Sequence, residues 1–353
     1  MIKYLGSKRR LVPVLGELLS RAGAETAIDL FTGTTRVAQD FKRRGAEVWA
    51  ADSAAYSRVF AECYVATDAD DVDAKELADA VENLNALAGV DGYVTETFCR
   101  RSRYFQPFNG MRIDAIRGAI EKEHRGSPLF PLLLTSLIEA ADRVDSTTGV
   151  QMAYLKAWAP RSHGRLELRV PELLRGGGHV LSGDAVALSP MLPEVDVAYL
   201  DPPYNQHRYF TNYHVWETLV RWDAPEHYGV ACKRLDSREP DTRSAFNVRA
   251  TTAPALGEVI RHVRSRVMIV SISDESWVPL EELLTMCADR EHVEVLTFES
   301  RRYVGAQIGI FNPSGERVGQ VSHLHNREHL VVAGDRTEVR EIAAAAPLAA
   351  AAR

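Results

Sequence analysis

The residues from Thr26 to Asp52 constrain the fold more than any other stretch of the chain. Thr26-Ala27-Ile28-Asp29-Leu30-Phe31 is a short apolar run that breaks into Thr32-Gly33-Thr34-Thr35 and passes into a helix-like stretch from Val37 to Arg44. Gly45 ends that helix, and Ala46-Glu47-Val48-Trp49-Ala50-Ala51 reads as a second strand closing on Asp52. Strand, tight turn, helix and strand make a βαβ unit with an acid at the tip of its second strand. A later strand, Val195 to Leu200, ends at Asp201. Two more follow, at Arg266–Ile272 and His292–Phe298, the first bracketed by helical patterns at Ala255–Arg264 and Pro279–Ala288. This alternation predicts an α/β fold built on a doubly wound, mostly parallel Rossmann-like sheet, with functional residues just past the carboxyl ends of its strands.

Between Tyr56 and Gly178 the pattern turns helical, with apolar-periodic stretches at Met111–Glu123 and Leu129–Val144. The Gly176-Gly177-Gly178 run marks the return to the sheet. The expected organisation is therefore a sheet domain from residues 1–91 and 178–334 and an inserted, largely helical module at 92–177. Residues 335–353, rich in alanine around Pro347, are expected to be a flexible tail. Asn312-Pro313-Ser314-Gly315 reads as a hairpin turn between the strand at His292–Phe298 and one at Glu328–Val332. If the first of those strands is parallel to the sheet, the hairpin leaves from the same edge as Asp201.

No window approaches the eighteen or so apolar residues that a membrane span needs, and the first residues hold no apolar signal core, so a soluble, cytoplasmic protein is expected. Cys63, Cys99, Cys232 and Cys287 are scattered without CxxC spacing, which predicts reduced, buried thiols rather than zinc ligands or disulfides. His323 and His325 alternate without acidic or cysteine companions, and no metal site is expected. The formal net charge of −6 argues against a nucleic-acid binder when taken as a total. Its distribution argues otherwise, because residues 100–175 carry thirteen Lys/Arg against eight Asp/Glu, compatible with one DNA-facing surface. Arg100-Arg101-Ser102-Arg103-Tyr104-Phe105 and the stretch Arg161–Arg169 are the candidates there.

The turn after the first strand holds one glycine where dinucleotide folds hold three. Asp52 can accept both hydroxyl protons of a ribose, while the missing glycines disfavour a pyrophosphate and hence a nicotinamide dehydrogenase. S-Adenosylmethionine carries no phosphate and makes no such demand. Asp201-Pro202-Pro203-Tyr204 is more specific. Two consecutive prolines delete two amide donors and leave carbonyls that only accept. Asp201 and the Pro202 carbonyl would draw the protons of a nucleobase amino group, whose nitrogen is otherwise a poor nucleophile, and Tyr204 would stack on the extruded base.

These residues resemble the Dam-like class of adenine-specific DNA methyltransferases, close to the FokI-type modification methylases of restriction systems. The resemblance runs from Lys3 to about Gly334 on Lys3-Tyr4-Leu5-Gly6-Ser7-Lys8, Asp29-Leu30-Phe31-Thr32-Gly33-Thr34-Thr35, Asp52, Leu181-Ser182-Gly183-Asp184, the tetrapeptide at Asp201, and Tyr209-Phe210-Thr211-Asn212-Tyr213-His214. It implies an S-adenosylmethionine-dependent transfer to the 6-amino group of an adenine flipped out of double-stranded DNA, with the module at 92–177 recognising the target and a cognate restriction endonuclease as partner. It implies that Tyr4, Gly6, Ser7 and Lys8 line the cofactor's methionine side. Asp29, Phe31, Gly33 and Thr34 would form its turn, Asp52 would bind its ribose and Asp184 would contact its adenine. Asp201, Pro202, Pro203 and Tyr204 would serve the target base. The family's turn reads Phe-x-Gly-x-Gly, and Thr35 stands here in place of the second glycine, which implies looser approach of the cofactor to the backbone. Methylation of the cytosine amino group, with a similar tetrapeptide, is the alternative reaction. A non-catalytic DNA-binding subunit with a relict methylase fold is the alternative class.

Overall fold

Largely apolar segments rich in β-branched residues form the centre of the sheet. The computed structural model describes residues 2–6, 8–155, 157–203, 205–301, 310–311, 317–319 and 325–351. Strands β1 (Thr26–Leu30), β2 (Glu47–Asp52), β3 (Gly178–Ser182), β4 (Val195–Leu200), β5 (Ser265–Ser273), β6 (His292–Arg301) and β7 (His325–Gly334) make a seven-stranded sheet in the order β3-β2-β1-β4-β5-β7-β6. β1 with β4, β4 with β5 and β2 with β3 run parallel, whereas β7 is antiparallel to both β5 and β6. The mostly parallel α/β sheet expected from the sequence is thus present. The strand order reverses between β1 and β4, where such sheets open a crevice.

The chain divides into two compact units. The first comprises Met1–Val12, Phe31–Ala185 and His207–Ser244, and the second Pro13–Leu30, Val186–Gln206 and Ala245–Arg353.

In the first unit the helices Ala55–Ala61, Ala74–Ala86, Pro107–His124, Leu129–Val144 and His214–Arg221 surround one apolar core. Leu132, Leu133, Leu137 and Ile138 fill it together with Phe60, Phe98, Tyr213 and Trp216, and Ile2 from the amino terminus joins them. Residues 92–177 are largely helical, as expected, but they share this core with segments on both sides and form no unit of their own. The physical reason is the helix Leu129–Val144, which buries residues around most of its circumference and so needs cover from more than its own module. Gly178 opens β3 where a Cβ would come within 2.8 Å of the Val48 carbonyl oxygen, which explains a glycine at the return to the sheet. All four cysteines are buried free thiols.

In the second unit β4 and β5 are buried almost throughout, as strands covered on both faces must be. The helix Arg249–His262 precedes β5 and the helix Leu280–Met286 follows it. β6 is parallel to β5, since both are antiparallel to β7, so its carboxyl end lies on the same edge as Asp201. Beyond it Ile310–Phe311 pairs antiparallel with Arg317–Gly319, as the predicted hairpin requires. The turn Asn312–Gly315 itself, and His323, lie outside the described residues.

The tail expected to fray is instead the helix Arg336–Ala351. Asp335 caps it through the N–H groups of Thr337 and Glu338, Arg266 pairs with Glu338, and Val339 and Ile342 are buried. Asp335 with Glu338 three residues later is a start signal, and alanine, the strongest helix former, carries the helix on beyond it. Among the described residues no helix is long and apolar enough to cross a membrane.

Candidate cofactor and target-base sites

In the first unit the turn after β1 and the end of β2 close on each other through the backbone. Phe31 and Thr32 donate their N–H groups to the Ala51 carbonyl, each at 3.0 Å, and Gly33 donates to Asp52 Oδ2 at 2.8 Å. Asp52 Oδ1 accepts the N–H of Ala54 at 2.9 Å. Burial raises the Asp52 carboxyl above its ordinary range, while N–H groups of Ala54, Gly33 and Ser53 and the Ser57 hydroxyl pull it back down. These donors hold the carboxylate in one orientation.

The turn is wound more tightly than its single glycine suggests. Phe31, Gly33 and Thr35 all have left-handed backbones, with φ of 77°, 52° and 61°. A Cβ on Gly33 would stand 3.0 Å from the Tyr4 ring, so this position admits glycine on grounds of both space and conformation. Thr35 keeps the conformation that a second glycine would take, so the departure from the family pattern leaves the turn closed. Its wholly buried hydroxyl donates to the Thr34 carbonyl and accepts from Gln39 Nε2 at 2.8 Å.

Tyr4 lies at the centre of an aromatic cluster. Its ring stacks on Tyr213 at 4.8 Å, tilts against Tyr209 at 5.3 Å and meets Tyr56 edge-on, with the Tyr4 and Tyr56 hydroxyls 3.3 Å apart. Burial pushes both of these phenols well above the usual range and keeps them neutral. Leu5 is held at both ends of its peptide unit, its N–H donating to the Tyr213 hydroxyl at 2.6 Å and its carbonyl accepting from Tyr209 at 3.3 Å. Gly6 is exposed with φ of 72°, and the Lys8 carbonyl accepts from Leu11 and Val12 to open the helix Val12–Arg21. Ser7 lies outside the described residues. Asp184 is exposed in the turn after β3, where Gly183 donates its N–H to the Asp52 carbonyl at 3.1 Å.

Of the predicted cofactor residues, Tyr4, Phe31, Gly33, Thr34 and Asp52 thus meet around one turn of the first unit. Asp29 belongs to the second unit, buried inside β1 opposite Tyr199. Tyr56 and Glu217 were not singled out from the sequence. Tyr209, Tyr213 and Glu217 recur every four residues, a spacing that was the available signal, although a break at Tyr213 separates the helices that carry Tyr209 and Glu217.

In the second unit Asp201 is the first residue past β4, and its N–H reaches the Leu30 carbonyl of β1 at 3.4 Å. It stands half-buried at the point where the strand order reverses, followed by the buried Pro202 and the half-buried Pro203. Tyr204 lies outside the described residues.

The arginines counted as a basic surplus are largely committed. Arg112 caps the carbonyls of Leu166, Leu87 and Asn85. Arg117 is buried against Trp222 and binds the Leu219 and Val220 carbonyls. Arg161 binds Asp145, and Arg100 and Arg101 pair with Glu96. Tyr104 and Phe105 are core residues. Arg103 lies over the Trp158 ring at 4.6 Å, while Arg165 and Arg169 are exposed.

A doubly wound, mostly parallel sheet of this order is the frame of the nucleotide- and nucleoside-binding α/β enzymes. Residues 4–271 match the D12 class N6 adenine-specific DNA methyltransferases, and the chain belongs to that family. Membership indicates S-adenosylmethionine as the cofactor. The type II methyltransferase M.FokI of Planomicrobium okeanokoites is 28% identical over 312 residues, 80% of this chain and 46% of that protein. The modification methylase StsI of Streptococcus sanguinis is 27% identical over 300 residues, 80% of this chain and 45% of that protein. The type II methyltransferase M.NlaIII of Neisseria lactamica is 28% identical over 320 residues, 86% of this chain and 92% of that protein. The chain therefore spans about half the length of the first two relatives and nearly all of the third.

Proposed function

We propose that this chain transfers the methyl group of S-adenosylmethionine to the 6-amino group of a flipped adenine in double-stranded DNA, as the modification enzyme of a type II restriction system in the cytoplasm. Family membership across residues 4–271, with Asp201-Pro202-Pro203-Tyr204 intact within them, carries this reading. The type II methyltransferases among its relatives support the restriction setting and a cognate endonuclease as partner.

The residues around Asp52 fit the cofactor. A carboxylate held in one orientation at the tip of β2 suits a ribose diol, and the turn at Gly33 is closed by Tyr4 rather than opened for a pyrophosphate. Bound there, S-adenosylmethionine would supply an electrophilic methyl group. Asp52 would hold the ribose, Tyr4, Gly6, Ser7 and Lys8 the methionine side, and Asp184 the adenine.

Asp201 and the Pro202 carbonyl would accept hydrogen bonds from the target amino group and localise its lone pair for attack. The nitrogen would gain the methyl carbon as that carbon's bond to sulfur breaks, releasing S-adenosylhomocysteine, and would give up one proton, which Asp201 would receive and pass to water. Tyr204 would stack on the base.

The test is methylation of mixed-sequence duplex DNA with isotopically labelled S-adenosylmethionine, followed by digestion and mass analysis of nucleosides. Label in N6-methyladenine is expected. Label in N4-methylcytosine would overturn the choice of base, and absence of both label and cofactor binding would favour the relict reading. Asp201→Ala should lose methylation by at least a thousandfold, on the order of 4 kcal/mol of transition-state stabilisation, while binding cofactor normally.

A further inference from the structure

Glu217 is a wholly buried carboxylate with no part in the reaction as derived above. Its Oε1 accepts the backbone N–H of Ala55 at 2.7 Å, and its Oε2 lies 3.0 Å from Arg221 Nε. Burial raises its pKa, opposed by Arg221 and by the Ala55 N–H. The helix Ala55–Ala61 begins at Ala54, which has no side chain to satisfy the helix's first amides. Two outside carboxylates do so instead. Asp52 takes the N–H of Ala54 and Glu217 takes that of Ala55. The peptide that orients Asp52 is therefore fixed on its far side by Glu217.

The residue just before the helix that carries Glu217 holds the amino-terminal segment. Tyr213, four residues before Glu217, binds the Leu5 N–H and stacks on Tyr4, and Tyr4 in turn fills the space over Gly33. Tyr56, on the helix that Glu217 caps, packs edge-on against Tyr213 at 5.7 Å. Tyr213 and Glu217 thus grip the cofactor turn from two directions.

We propose that Glu217, acting with Tyr213, is a positioning residue for cofactor binding. It fixes Asp52 through the Ala55 amide, while Tyr213 fixes Tyr4 and Leu5. This rests on the reading of the Asp52 turn as the S-adenosylmethionine site. Without the acceptor at Ala55, the start of the helix shifts to find water, and Asp52 loses the single orientation in which it faces both Gly33 and a ribose.

The experiment is calorimetric titration of S-adenosylhomocysteine into the full chain, as wild type, Glu217→Gln, Glu217→Ala and Tyr213→Phe, each well below its melting temperature. Glu217→Ala should weaken binding at least tenfold. Glu217→Gln keeps the acceptor for Ala55 and should stay within threefold of wild type, and Tyr213→Phe should lose threefold or more. A merely structural role would lower melting temperatures and leave the affinity of the folded protein unchanged. Folded Glu217→Ala binding within twofold of wild type would overturn the proposal, as would Glu217→Gln failing as badly as Glu217→Ala. If Glu217→Ala does not fold, an unchanged affinity in Tyr213→Phe overturns it. Wild type that binds no S-adenosylhomocysteine would sink the cofactor reading itself, and the proposal with it.

Discussion

Gly33 donates its backbone N–H to the Asp52 carboxylate at 2.8 Å, so the turn after β1 and the tip of β2 are joined by a charge-assisted hydrogen bond rather than only by proximity. Replacing Asp52 with Asn retains an acceptor for Gly33 but leaves a neutral amide in place of a two-oxygen acceptor. Hydrogen bonds to charged groups contribute about 1.5–3 kcal/mol, so Asp52→Asn should weaken S-adenosylhomocysteine roughly 10- to 100-fold in calorimetric titration. Affinity unchanged in a folded Asp52→Asn protein would remove Asp52 from the binding role.

The βαβ unit was legible because its signals are local, an apolar run, a glycine turn and an acid in order along the chain. Asp201 was legible for the same reason. The support of Asp52 was not, because Leu5 meets Tyr213 across 208 residues and Ala55 meets Glu217 across 162. Such pairs leave no mark in the pattern around either partner. Arg112 and Arg117 misled in the opposite sense, since composition counts a charge without saying that the guanidinium is buried on backbone carbonyls.

Thr35 carries a strain that its hydroxyl offsets. A left-handed backbone costs a non-glycine residue about 1–2 kcal/mol, more easily borne here because the buried Oγ1 binds Gln39 and the Thr34 carbonyl. Thr35→Val keeps the strain and strands the Gln39 amide, so it should destabilise the fold by about 1–3 kcal/mol. Thr35→Gly relieves the strain as it loses the same bonds, and should lie within about 1 kcal/mol of wild type. Urea unfolding checks the order. Valine proving as stable as glycine would mean that the hydroxyl contributes nothing.

Lys3 ties the amino-terminal segment to Asp142 and Asp145, with Nζ 2.9 Å and 3.3 Å from their carboxylate oxygens. Burial, with the neighbouring Asp145, raises Asp142 to about 6 despite Lys3. A carboxyl with a raised folded pKa binds more protons folded than unfolded between about 4 and 6, so its contribution to stability falls as pH rises through that window and is level above it. The stability of wild type relative to Asp142→Asn should therefore decline by on the order of 1–3 kcal/mol from pH 4 to pH 6 in paired denaturant titrations. A difference independent of pH would place the Asp142 pKa near its ordinary value.

His214 supplies the opposite dependence. The ring is wholly buried, with Nε2 3.0 Å from the Gln151 carbonyl and 3.4 Å from the Tyr104 hydroxyl, and burial depresses its pKa to about 3. The imidazole is thus neutral in the folded chain, with its proton on Nε2 directed at Gln151, while in the unfolded chain it charges below about 6.5. Its contribution is fully present above that pH and is lost as pH falls toward 3, because the unfolded state then binds the extra proton. His214→Leu should lower stability at pH 7.5 by about 1–3 kcal/mol, through loss of the hydrogen bond from Nε2 to the Gln151 carbonyl. It should also flatten the acid limb, so that the gap between the two proteins narrows as pH drops from 6.5 to 4.5. A gap that widens over that range would require a charged, paired imidazole in the fold, which the carbonyl and hydroxyl around Nε2 do not provide.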